Sequence, residues 1–105
     1  MEIYTAADLL FSATTPSVAM IDNIAASALG RGIDAFMAKD YNTAVREFRR
    51  SISLSPFSDN ALKAFEYMAK ALTSSGKTRE AITTYKQAIN VFPSADGLNL
   101  ALGNL

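Results

Sequence analysis

The sequence holds no cysteine and no histidine among its 105 residues. Without cysteine there are no disulfides and no thiolate chemistry. Without histidine, His-based triads and nearly all zinc sites are excluded as well. Asp, Glu, Lys, Ser and Tyr remain for chemistry, and none of them ordinarily titrates near neutral pH. Neither charge is in excess, since ten Lys plus Arg meet ten Asp plus Glu. Nucleic-acid and membrane-surface binders normally carry a basic excess, so neither kind of partner is expected. No apolar run approaches the roughly 18 residues of a membrane span. The opening "MEIYTAADLLFSATTPS" lacks the basic start and unbroken apolar stretch of a signal peptide. The expectation is a cytoplasmic chain without metal or cofactor.

What is present argues for a folded core. Half of the residues are hydrophobic and 19% are charged, at a length that suits one domain. The charge is unevenly spread. Residues 1–40 hold Glu2, Asp8, Asp22, Asp34 and Asp40 against only Arg31 and Lys39. A dipolar chain could stack head to tail, but chance is the better explanation of that asymmetry.

Nearly the whole chain has helical spacing. Thr5-Ala-Ala-Asp8 has the form of a capping box and predicts a short helix over residues 5–13. Thr15 then caps a long helix over about residues 16–38, with Pro16 at its first position. Val18, Ile21, Ala25, Ala28, Gly32 and Phe36 form its stripe, widened by Ile24, Leu29, Ile33 and Met37. Gly30 and Gly32 weaken it by about 1 kcal/mol each, and a small residue there would let another helix approach closely. Asp40 predicts the cap of a third helix, with Tyr41, Ala44, Val45, Phe48 and Ile52 on its apolar face. Pro56 ends that helix by pushing Ser55 out of helical geometry. Ser58 or Asp59 caps a fourth, with Ala61, Leu62, Phe65, Met68, Ala69 and Leu72 inward. Thr78 is expected to cap a fifth, carrying Ala81, Ile82, Tyr85, Ala88 and Ile89. Pro93 stops it, and Ser94 is the candidate cap of a last helix with Leu98, Ala101, Leu102 and Leu105. No hairpin or strand alternation is visible.

Two windows 37 residues apart match: "DYNTAVREFRRSISLSP" from Asp40 and "KTREAITTYKQAINVFP" from Lys77. Ala44 recurs as Ala81, Phe48 as Tyr85, Ile52 as Ile89 and Pro56 as Pro93. A fixed period across helix–turn–helix units is the sign of a helical repeat array. On the pattern Ala-x-x-x-Phe/Tyr followed eight residues later by Pro, the sequence resembles the tetratricopeptide repeat (TPR) family. The first halves of the units keep only Gly32 of that family's Trp-Leu-Gly-Tyr positions. The period exceeds the family's 34 residues, which places about three extra residues in the turn after Pro56.

The resemblance implies an all-α, right-handed helix-turn-helix solenoid. An N-terminal helical extension covers 1–25, repeats cover 26–59 and 60–96, and 97–105 form a partial third repeat or capping helix. It implies a non-catalytic interaction module or assembly scaffold that binds a peptide or helix in a concave groove. The groove positions carried over are Ala26, Leu29, Ile33, Phe36 and Met37 in the first unit. In the second they are Lys63, Glu66, Lys70, Thr73 and Ser74. Leu29 and Ile33 stand where chaperone-tail binders of the family carry Lys and Asn, so a carboxylate clamp is not expected. The apolar groove residues could instead be core, or be filled by residues 5–13 as a plug from this copy or a neighbour. The apolar end at Leu98–Leu105 suggests a fragment of a longer repeat protein, or an end covered by a second copy. A homo-oligomer would use the N-terminal segment or the C-terminal helix. A secretion-type chaperone and a regulatory domain of a larger enzyme are the competing implications.

Two local strings tempt other readings. "ALTSSGKT" over residues 71–78 fits a loose phosphate-loop pattern, but a phosphate loop needs a strand before it, and the preceding residues have helical spacing. Gly76 is better explained as a permissive turn residue. "REFRR" over residues 46–50 is the densest basic cluster. It would suit an acidic peptide or a phosphate, or be a solvated face with Glu47 partly balancing it. No nucleophile has a base placed beside it, so no catalytic residues are assigned.

Overall fold

The computed structural model describes residues 18–105. The expected short helix over 5–13, the Thr15 cap and the plug lie outside the described residues. Five helices follow one another: α1 (Val18–Met37), α2 (Tyr41–Leu54), α3 (Asp59–Ser74), α4 (Thr78–Val91) and α5 (Asp96–Gly103). No strand occurs among the described residues. Each helix packs on the next, and α1 also packs on α3.

The helix boundaries recur at the period read from the sequence. The first and last residues of α2 and α4, the ends of α1 and α3, and the starts of α3 and α5 all differ by 37 positions. The turns recur with them. Asp40 N–H donates to Ala35 O at 2.8 Å and Lys39 N–H to Phe36 O at 3.0 Å. One period on, Lys77 N–H donates to Leu72 O at 2.7 Å and Gly76 N–H to Thr73 O at 3.1 Å. Both sets form the paired bonds of a Schellman motif, which needs a left-handed residue just past the helix. Lys39 (φ 62°) and Gly76 (φ 81°) occupy that place. The helix ends before proline recur too. Ser55 (φ −142°, ψ 74°) and Phe92 (φ −125°, ψ 69°) leave helical geometry ahead of Pro56 and Pro93.

A left-handed backbone costs a residue with a Cβ about 1–2 kcal/mol. Gly also has more freedom to lose on folding, which cancels part of the gain from removing that strain. Lys39→Gly is therefore expected to stabilise the fold by about 0.5 kcal/mol. Gly76→Ala should destabilise it by about 1 kcal/mol, although an added Cβ would meet nothing within 4 Å. Urea titrations of both variants check this pair.

Three sequence expectations are corrected. Thr78 does not cap α4: it is the first helical residue, Lys77 holds the cap position, and no side chain accepts a bond there. Ser94 does not cap α5, whose cap position is Ala95, again without a side-chain bond. The extra length of the period is not in the turn after Pro56. Only Phe57 and Ser58 separate that proline from α3, which leaves no room there for three further residues. Asp40 and Ser58 do cap, accepting from Thr43 N–H at 3.3 Å and Ala61 N–H at 3.2 Å.

The core is built from small residues flanking a few rings. Ala25, Ala28, Ala44, Ala61, Ala64, Ala69, Ala71, Ala81 and Ala88 are fully buried, beside Phe48, Phe65, Tyr85, Met68, Leu72 and Leu98. Among the described glycines, Gly32 marks a close approach. A Cβ built on it would lie 2.5 Å from Phe48 Cε1. Ala69 and Tyr85, both buried, hold the same two positions one period later. Two buried serines tie α2 to α1: Ser51 Oγ donates to Ala25 O at 2.8 Å, and Ser55 Oγ to Asp22 Oδ1 at 2.6 Å.

Candidate protein-interaction surface

The groove positions fall on α1 and α3, which pack side by side. Leu29 is a core residue, 7% exposed, and is closed to any ligand. Ile33 and Phe36 are half-buried against the core, and Met37 at the end of α1 is 74% exposed. On α3, Lys63, Lys70, Thr73 and Ser74 are exposed and Glu66 is half-buried. Ala26 is exposed on α1. The surface thus offers an apolar end, Ile33 to Met37, beside a stripe of alternating charge. Lys63, Glu66 and Lys70 follow the i, i+3, i+7 spacing of one helix face.

Tyr67 joins the two halves and was not among the expected groove residues. Its ring lies 5.8 Å from that of Phe36, edge to face at 74°. It stacks on Phe48 at 5.8 Å and 25°. Lys70 Nζ sits 5.3 Å from its centroid, within the range of a cation–π contact. Tyr41 continues the row, 5.9 Å from Phe36 at 62°. The sequence signal for this was the Tyr67/Lys70 pair at i, i+3, which places a cation over a ring on one helix face. The partners on α1 and α2 carry no local signal.

Burial raises the pKa of Tyr85 above the ordinary tyrosine value of 10.0, and the charge of Glu66 raises it further. The neutral phenol is therefore favoured in the fold more than in the unfolded chain. That contribution is complete below about pH 10 and is lost as the pH rises towards the folded-state pKa. Tyr85→Phe should flatten the fall in stability above pH 10 relative to the parent chain. Urea midpoints measured between pH 8 and pH 11 would show it.

Other chemistry finds little support in the arrangement. Residues 71–74 are the end of α3, and Ser75-Gly76-Lys77 is the turn after it, so helix stands where a phosphate loop requires a strand. No group of three acidic, Cys or His residues is placed to hold a metal among the described residues. No helix among them is long and apolar enough to cross a membrane. At the far end, α5 buries Leu98 but leaves Leu100 71% exposed, and Leu105 just past it is 40% exposed.

No protein-family model matches the sequence, no characterised protein matches it, and no solved structure matches its fold.

Proposed function

We propose that the chain is a TPR-like module: a right-handed stack of helix pairs that binds a peptide or helix of a partner protein and catalyses no reaction. The recurrence of helix ends, left-handed turns and pre-proline breaks at one 37-residue spacing carries this reading. Units that repeat in this way share one packing rule, and stacking them leaves an extended surface formed by the first helix of each pair. Here that surface is α1 beside α3. Its exposed Met37 and half-buried Ile33 and Phe36 suit the apolar face of an amphipathic helix, with Lys63, Glu66 and Lys70 meeting polar residues at the edge.

The test is selection from a displayed library of amphipathic helical peptides. Met37→Asp is expected to weaken the selected binders about tenfold, the effect of losing roughly 1.4 kcal/mol at one apolar contact. A library that yields no binder, or binders indifferent to Met37→Asp, contradicts the reading. The exposed Leu100 of α5 and Leu105 just past it favour a scaffold that also self-associates. Solution mass should then fall to the monomer value in Leu100→Lys/Leu105→Lys.

A further inference from the structure

The two strings left over from the sequence, "REFRR" and "SSGKT", meet in space. They flank a cleft of about 290 Å³ between α2 and the start of α4. Asn42, Arg46 and Arg49 line it from α2, at the i, i+4, i+7 spacing of a single face, and Lys77 and Glu80 line it from the other side. Glu47, which the sequence offers as a counter-charge, is turned away: it accepts from Arg31 Nε of α1 at 3.2 Å. That is the one ion pair among the described residues, so Arg46, Arg49 and Lys77 have no carboxylate partner there.

The register comparison sharpens the point. Asp40 begins α2 as an acceptor, bonded to Thr43 N–H. Its counterpart Lys77 begins α4 as a cation, with no side-chain cap. Exchanging an anion for a cation at that turn gives the cleft three positive groups against Glu80. Such a balance matches a phosphomonoester, which carries about −1.5 to −2 at neutral pH, better than a single carboxylate. Arginines also suit its oxygens, through forked hydrogen bonding. Ligand sites for whole small molecules span about 300–1,000 Å³. This cleft lies at their lower edge and suits a phosphate with its ester arm rather than a nucleotide.

We propose that this cleft binds a phosphate dianion, either as the monoester on a serine or threonine of a partner polypeptide or as free inorganic phosphate. It shares Tyr41 with the aromatic row beside the α1/α3 surface but none of that surface's charged side chains, and it does not depend on that reading. The experiment is an NMR titration of the full 15N-labelled chain with a phosphoserine peptide, its unphosphorylated form and inorganic phosphate. Saturable shifts at Arg46, Arg49 and Lys77 are expected with the phosphopeptide and not with its unphosphorylated form. If inorganic phosphate saturates the same residues as tightly, the proposal stands with free phosphate as the source. Arg46→Ala/Lys77→Ala should weaken binding about tenfold or more, while Arg50→Ala/Lys86→Ala, equal in charge lost, should leave it nearly unchanged. No saturable shift with either phosphate probe overturns the proposal. So does an equal loss in the two double variants, which would show diffuse charge instead of a site.

Discussion

Phe48→Ala is expected to destabilise the fold by about 3–5 kcal/mol, the usual cost of truncating a buried phenylalanine. The ring is fully buried, stacks on Tyr67 of α3, and rests its edge on Gly32 of α1. Its loss therefore loosens α2 from both neighbours at once. A small domain has only about 5–15 kcal/mol in total, and each 1 kcal/mol moves its melting temperature by about 4–8 °C. A fall of at least about 12 °C is expected by calorimetry. Phe57→Ala is the matched control. That ring lies in the turn between α2 and α3 and is 80% exposed, so its removal should change stability by no more than about 0.5 kcal/mol.

Gly32→Ala should also destabilise, although alanine is the better helix former. The added Cβ would stand 2.5 Å from Phe48 Cε1 and 2.6 Å from Cδ1. Both atoms belong to a fully buried ring. Overpacking of this kind costs about 1–3 kcal/mol, and helix propensity returns about 1 kcal/mol. The net expected loss is about 0–2 kcal/mol. Gly30, two residues away, is exposed and has nothing within 4 Å of an added Cβ. Gly30→Ala should therefore stabilise by up to about 1 kcal/mol. The sign of the effect separates close helix approach from simple propensity. If the clash is the cause, Gly32→Ala and Phe48→Leu should be less costly together than their sum.

Those two glycines show what the sequence carries and what it leaves to packing. Helical periodicity and the 37-residue match located five helices, because each element repeats its own local signals: apolar stripe, turn and proline. The Asp40 and Ser58 caps were legible for the same reason. Thr78 misled because cap preference favours threonine, whereas the Schellman turn ending at Lys77 starts α4 one residue earlier. Ala64 and Ala71 lie off the expected stripe of α3 yet are buried, since that helix meets α1, α2 and α4 and needs a wider inner arc. Leu29 fits a groove position in sequence, but it is core because α1 is covered on more than one side. The contacts of Tyr67 with Phe36 and Phe48, and the placement of Arg46 and Lys77 on one cleft, were out of reach. Each depends on residues from different helices, and no local pattern states which helices touch.

Among the described residues α1 packs on α2 and α3, α3 on α4 and α4 on α5, an order that differs from a closed bundle in which α4 returns to α1. An aromatic and methyl NOESY spectrum tests it most directly. Cross-peaks are predicted between the rings of Phe36 and Tyr67, of Phe48 and Tyr67, and of Phe65 and Phe92, whose centroids lie 5.8, 5.8 and 6.4 Å apart. Gly32 Hα should also see the Phe48 ring. Strong cross-peaks between α1 and α4, with those between Phe36 and Tyr67 absent, would contradict this packing order and the proposed groove that depends on it.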